Sequence, residues 1–231
     1  METTNVKPSQ LNYDKYTSDK YDQDIINSIP FHREIHDLIV EFVKKFNPKK
    51  EYKILDLGVG TAITSQIIKD ILPKAEFDLV DFSHQMLIGA KKKMGKDRVN
   101  YIFGDYSKLR FNKKYDIIVS VIGIHHQNAI GKKKLFKKIF GMLKFGGVFV
   151  FGDLVTYKNE RQAALNTAKH YKYLVDMVTD EKTLADWSYH HQFLNDLSPI
   201  EDQIDWLKKI GFKVDKKFLR FNTALLICKK K

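Results

Sequence analysis

The run Lys53-Ile54-Leu55-Asp56-Leu57-Gly58-Val59-Gly60-Thr61-Ala62-Ile63-Thr64-Ser65 constrains this chain more than any other stretch. Ile54, Leu55 and Leu57 form an apolar segment bounded by a turn signal, the pattern of a central parallel strand covered on both faces. Ile63, Ile67, Ile68, Ile71 and Leu72 then recur at helical spacing. Gly58 and Gly60 lie between the two patterns. They allow backbone angles or a close ligand approach that a side chain would forbid, so a nucleotide-type ligand can lie against bare main chain at a helix N-terminus. A dinucleotide loop wants a small residue three after the second glycine, and Ile63 stands there. Asp56, just before the first glycine, repels a pyrophosphate but suits a ligand carrying an ammonium and a sulfonium.

An acidic residue followed by a glycine-rich loop, here Asp56, Gly58 and Gly60, resembles the first motif of the large family of Rossmann-like (class I) methyltransferases dependent on S-adenosylmethionine (SAM). Ala62 replaces a third glycine often found there. The resemblance runs from about Tyr21 to the end of the chain. It implies an α/β fold with helices on both faces of a seven-stranded, mostly parallel sheet in the order 3-2-1-4-5-7-6. It also implies SAM as cofactor and S-adenosylhomocysteine as product.

The rest of the chain reads as scaffold around that loop. Residues 1 to about 20 are polar and form an expected mobile arm carrying Tyr13 and Tyr16, and two cap helices follow, up to Asn47-Pro48. Strands are expected at Glu76 to Asp81, Val99 to Phe103, Tyr115 to Ile122 and Val148 to Phe151, with Gly146-Gly147 as the turn into the last. Strands alternating with helices specify a parallel sheet. Residues 154–197 lose the strand pattern and read as a helical insertion, a lid over the ligand. Ser198-Pro199-Ile200-Glu201 has the form of a capping box, and two closing strands, Phe212 to Arg220 and Asn222 to Cys228, are close enough for a hairpin. The whole, 1–231, is expected to be a single domain with 1–47 as arm and cap.

The formal charge of +12 invites a nucleic-acid partner. Forty basic residues include only five arginines, however, and the lysine runs 91–93, 132–134 and 137–138 fall late in helices or along their polar faces. Arginine is the better fork for phosphate and base edges, so RNA is a possible but unfavoured partner. No apolar run approaches a membrane span or a signal core, and Cys228 stands alone, so a soluble, cytoplasmic monomer or homodimer is expected.

Site residues divide between donor and acceptor sides. Asp81 ends the second strand about twenty-five residues after Asp56, where a carboxylate can accept both ribose hydroxyls. The alternative is an acid that only favours the next helix N-terminus. The resemblance extends the cofactor set to Phe82 beside the adenine, to Gly104, Asp105 and Tyr106 at the adenine amine, and to Tyr21 over the methionine end. Thr61, Met86 and Ser120 complete it. On the acceptor side, His125 and His126 end the fourth strand and Asp153 follows the fifth. One histidine could serve as general base with Asp153 orienting it, or both could merely shape the pocket. The adjacent pairs His125-His126 and His190-His191 lack a carboxylate at helical ligand spacing, so no metal is expected.

The expected activity is methyl transfer from SAM to an oxygen, nitrogen or carbon atom of a small-molecule acceptor. Tyr171, Tyr173, Met177, Trp187, Tyr189 and Phe193 of the insertion would wall an aromatic acceptor pocket. The alternatives are a tRNA-modification enzyme, resembling carboxy-SAM synthase or an RNA methyltransferase, and a SAM-binding partner protein without catalysis. A carboxylate substrate would call for an arginine clamp, and none stands between Arg161 and Arg220.

Overall fold

A computed structural model of the chain describes residues 12–15 and 17–231, so residues 1–11 and Tyr16 of the expected arm lie outside the described residues. Its sheet has seven strands in the order β3-β2-β1-β4-β5-β7-β6. The strands are β1 (Lys53–Leu57), β2 (Glu76–Asp81), β3 (Val99–Phe103), β4 (Tyr115–Val121), β5 (Leu143–Leu154), β6 (Phe212–Arg220) and β7 (Thr223–Lys230). β1 to β5 pair in parallel, and β7 runs antiparallel to both β5 and β6.

Period-two alternation sorts the apolar residues onto the two faces. Leu55, Ile118, Phe149 and Phe151 pack on one side with Phe136 of α5 (Ala129–Met142) and Leu207 of α8 (Ile200–Ile210). Ile54, Ile117, Val119, Val148 and Val150 pack on the other, against α2 (His32–Val43), α3 (Ile63–Ile71) and α4 (His84–Met94). The central strands are buried on both faces, which is why they read as nearly continuous hydrophobic runs.

A third apolar cluster lies at the C-terminal end of β5. Ile25 and Ile29, on and just after α1 (Ser18–Ser28), meet Leu154 at the end of β5, Leu174 and Val178 on and just after α6 (Glu160–Met177), and Trp187 of α7 (Glu181–Phe193). The cap helix and the insertion thus share one core.

Three local expectations are corrected. Gly146-Gly147 lie inside β5, which starts at Leu143, because Leu143 pairs with Tyr115 before a register shift to Ile117 and Val148. A Cβ at Gly147 would come within 2.9 Å of the Lys144 carbonyl oxygen and 3.1 Å of that of Asp116. Pro199, not Ser198, caps α8, and no side chain bonds that end. The Ser198 hydroxyl instead accepts from Lys132 Nζ at 2.9 Å. Lys132 is accordingly buried rather than on a solvated helix face, and its ammonium also donates to the Asp196 carbonyl. Among the described residues no helix is long and apolar enough to cross a membrane.

Candidate active site

Strand order reverses between β1 and β4, and the cleft beyond their C-terminal ends is where an open α/β sheet binds its ligand. The cleft is lined by Gly58 and Gly60 of the β1–α3 loop, by Asp81, Phe82 and Met86 after β2, and by Asp105 and Tyr106 after β3. Ile122, Gly123, His126 and Gln127 line it after β4, with Tyr13 and Tyr21 across it.

The loop is held by its own main chain. The N–H groups of Gly58 and Val59 both donate to the Val80 carbonyl at 2.9 Å, and Gly60 N–H donates to Asp81 Oδ2 at 2.9 Å. Gly58 and Gly60 both have positive φ, 76° and 55°. Ala62 caps α3 at φ 68°, a left-handed conformation that costs a non-glycine residue about 1–2 kcal/mol. That is the position where the sequence lacks a third glycine.

Asp81 faces the cleft. Its Oδ1 accepts from Ser83 N–H at 2.9 Å, and the carboxylate keeps acceptor capacity for a ligand. Burial pushes its carboxyl up to about 6, against the N–H groups of Ser83, Gly60 and Phe82, which favour the ionised form. Asp56 does not line the cleft. Its side chain turns to the α3 side of the sheet, where Ser65 Oγ donates to Oδ2 at 2.6 Å, and burial pushes it up to about 7. It anchors α3 behind the glycine loop.

Other predicted residues take structural posts nearby. Gly104 N–H donates to the Asp81 carbonyl at 2.9 Å, Tyr106 O–H to that of Gly123 at 2.8 Å and Ser120 O–H to that of Leu57 at 2.8 Å. Thr61 donates to Asp22, which also pairs with Lys93 at 2.6 Å. Asp105 Oδ1 accepts from Ser107 N–H at 2.9 Å, and the residue lines the cleft beside Tyr106.

After β4 the two histidines sit in a short 3-10 turn with their ring centres 4.0 Å apart. His125 Nδ1 donates to Asp153 Oδ1 at 2.6 Å, and Asp153 Oδ2 accepts from Ile124 N–H at 2.9 Å. His126 faces the cleft and donates Nδ1–H to the Leu194 carbonyl at 2.8 Å. Burial, with His125 and His190 beside it, holds its imidazole well below the usual histidine range, so at neutral pH it offers a lone pair rather than a charge. Sequence reasoning missed three neighbours. Gln127 lines the cleft, Lys132 lies close enough for its charge to act on His126, and the fold brings His190 to within 5.2 Å of His126, ring centre to ring centre. The expected aromatic wall is not formed as a unit. Trp187 is buried in the cap core, while Met177, Tyr189 and Phe193 are exposed.

SAM fits this cleft on the residues present. Bare main chain at Gly58 and Gly60 admits the methionine portion, the acceptor capacity left on Asp81 suits ribose hydroxyls, and the acidic surroundings suit a sulfonium and an ammonium.

Residues 54–147 match the family model described as a methyltransferase domain. The match includes every strand-end residue of the donor side and stops before Asp153 and the insertion. The chain is 30% identical over 162 residues to a malonyl-[acyl-carrier protein] O-methyltransferase of Ilyobacter polytropus, covering 68% of this chain and 61% of the relative. It spans 51% and 41% of two further relatives of that name. It is 26% identical to the carboxy-S-adenosyl-L-methionine synthase of Nautilia profundicola, over 92% of this chain and 91% of the relative. Among solved structures, a DhpI-SAM-HEP complex superposes with TM-score 0.70 at 16% identity, over 99% of each chain. An O-methyltransferase family protein from Burkholderia thailandensis gives 0.64 at 14%, over 96% of this chain and 66% of that one. Residues 54–147 thus carry a methyltransferase domain by the family match, set in a Rossmann-like seven-stranded fold that the solved methyltransferase structures share.

Proposed function

We propose that the protein binds SAM in the cleft beyond β1, β2 and β4 and catalyses methyl transfer to an oxygen, nitrogen or carbon atom of a small-molecule acceptor. The observation that carries this reading is the position of Asp81. Its buried carboxyl lies at the cleft between the glycine loop and Phe82, held by the main-chain N–H groups of Gly60 on Oδ2 and Ser83 on Oδ1 and with acceptor capacity left for a ligand.

SAM supplies an electrophilic methyl on a sulfonium, so the chain's own residues have to align, dry and, for a protic acceptor, deprotonate. Tyr13 and Tyr21 cover the cleft from the cap side, their rings 5.9 Å apart edge to face, which excludes water from the methyl. His126 presents a neutral nitrogen to the cleft and is the nearer base, while His125 backs it, 4.0 Å away between ring centres, with Asp153 holding its tautomer. The binding test is calorimetry with SAM and S-adenosylhomocysteine, together with mass spectrometry of the ligand that co-purifies. Tighter binding of NAD than of SAM overturns the reading.

A second reading has one observation in its favour: the carboxy-SAM synthase relative is matched over nearly its whole length, unlike the O-methyltransferases. Against it, a carboxylated ligand calls for an arginine, and none lines the cleft among the described residues. Arg161 is exposed on α6, and Arg220 stacks 4.4 Å over the Phe31 ring. Carboxy-SAM in the co-purified fraction would reverse this ranking, and absence of methyl transfer to every acceptor offered would favour a SAM-binding partner protein.

A further inference from the structure

We propose that His125, His126 and His190 form a binding site for one divalent transition-metal ion at the acceptor end of the cleft. All three residues are buried, and one ring nitrogen from each lies within 4.8 Å of the others. Two nitrogens at 2.0–2.1 Å from a tetrahedral zinc lie about 3.4 Å apart, so rotations closing roughly an ångström would complete the set. His190 sits on α7, whose last turn can supply that shift without disturbing the sheet.

The surroundings are those of a metal site one layer out. A ligating imidazole is ordinarily fixed by a carboxylate or a backbone carbonyl on its other nitrogen, which sets the tautomer and aims the lone pair. Asp153 does this for His125 and the Leu194 carbonyl does it for His126. His170, whose ring centre lies 4.3 Å from that of His191, does not compete for the ion. The His170 ring is used on both sides, donating Nε2–H to the Ser28 carbonyl at 2.9 Å and accepting at Nδ1 from Asn222 at 2.6 Å.

Tyr13 marks the fourth position. Its hydroxyl lies 3.2 Å from His126 Nε2 and 3.4 Å from His190 Nε2, and a phenol there can donate to one ring nitrogen while accepting from the N–H of the other. A cation accepts from all of the converging nitrogens together. Three imidazole nitrogens with a fourth position toward the cleft are a donor set suited to zinc(II) and its neighbours, and that position lies beside His126 and Tyr13. Lys132 is the opposing charge nearby, and Asp153 offsets it.

The test uses full-length protein without a histidine tag, stripped with a chelator and dialysed. Zinc(II) titrated by calorimetry is expected to bind at one equivalent, and cobalt(II) to give the visible bands of a four-coordinate ion. His190→Gln and His126→Gln are each expected to weaken zinc binding at least about 100-fold through loss of a ligand. Asp153→Asn is expected to weaken it by about 10- to 100-fold. His84→Gln, at an exposed ring stacked on Phe103, is expected to leave it unchanged. Circular dichroism and S-adenosylhomocysteine affinity check that each variant is folded. The proposal is overturned if the stripped protein takes up no zinc at one equivalent, or if folded His190→Gln and His84→Gln bind it alike. An ion bound here would occupy the His126 nitrogen proposed above as base, so the base role belongs to the metal-free protein; SAM binding stands or falls separately, since the donor side shares none of these three nitrogens.

Discussion

Asp153 accepts a hydrogen bond from His125 Nδ1 at 2.6 Å and so ties the end of β5 to the turn that ends β4. The same carboxylate also accepts from the N–H groups of Ile124 and Leu154, each at 2.9 Å. Asp153→Ala would strand three donors in a site from which solvent is excluded. With about 1–3 kcal/mol for each unsatisfied buried group, partly relieved by relaxation, a stability loss of about 2–4 kcal/mol is expected. Urea denaturation measures it, and a loss under about 1 kcal/mol would mean that water replaces the carboxylate.

Asp81→Ala is expected to weaken SAM and S-adenosylhomocysteine binding by about 2–3 kcal/mol, since bonds to a charged acceptor are worth about 1.5–3 each. Unchanged affinity in calorimetry would remove Asp81 from the ribose site.

The same residue predicts opposite pH trends for binding and stability. Burial holds the folded carboxyl at about 6, above its ordinary value of 3.8, so ionising it costs stability that is absent below 3.8 and complete above 6. Unliganded protein should therefore gain stability from this group as pH falls from 7 toward 4, and Asp56, raised to about 7, acts in the same sense. SAM affinity should do the reverse, falling below pH 6 as the acceptor of the ribose hydroxyls becomes protonated. Calorimetry and denaturation at pH 5.5 and 7.5 compare the two, and parallel trends would contradict the assignment.

The positions of the proposed donor-side residues were legible because they lie at strand ends. Asp81, Gly104 and Asp105 are placed by period-two patterns whose boundaries the turn residues mark, and β2, β3 and β6 run as the sequence predicts. Asp56 was legible as a strand-end acid but not as one facing away from the cleft, because its facing depends on the parity it shares with Ile54 and on Ser65 across α3. The acceptor half was illegible for a different reason. His190 reaches His126 only through the packing of α7 on Leu174 and the cap helix, a long-range contact with no local periodicity. Lys132 sits in a run of three lysines, and only the carbonyl of Asp196 and the hydroxyl of Ser198 distinguish it from its exposed neighbours.

Lys132 should make the protein more stable in mild alkali. Burial pushes its ammonium down to about 8, below the ordinary 10.5, so between those values the unfolded chain holds more protons than the folded one and stability rises with pH. Lys132→Met removes this contribution, and the wild type's advantage over the variant should widen from pH 7.5 to 9.5. Denaturation curves at the two pH values measure the gap, and a constant gap would mean that Lys132 titrates normally.

Ligand should order the cap and the outer part of the insertion but not its root. The root is already fixed: Asp196 N–H donates to the His125 carbonyl at 2.9 Å, Leu194 accepts from His126, and Lys132 holds Asp196. The outer part has weaker ties. Leu165 and Val175 of α6 and Tyr189 of α7 are exposed, and α1 meets the insertion mainly through Ile25, Ile29 and Trp187. Few buried contacts mean a low local opening free energy, and a ligand under Tyr13 and Tyr21 adds contacts to the cap side alone. Hydrogen exchange with saturating S-adenosylhomocysteine is therefore expected to slow over residues 17–28 and over α7. Residues 194–198 should be protected equally with and without ligand. Uniform protection of the cap in both states would make it rigid scaffold, and slowing confined to the root would mean that closure comes from the sheet side instead.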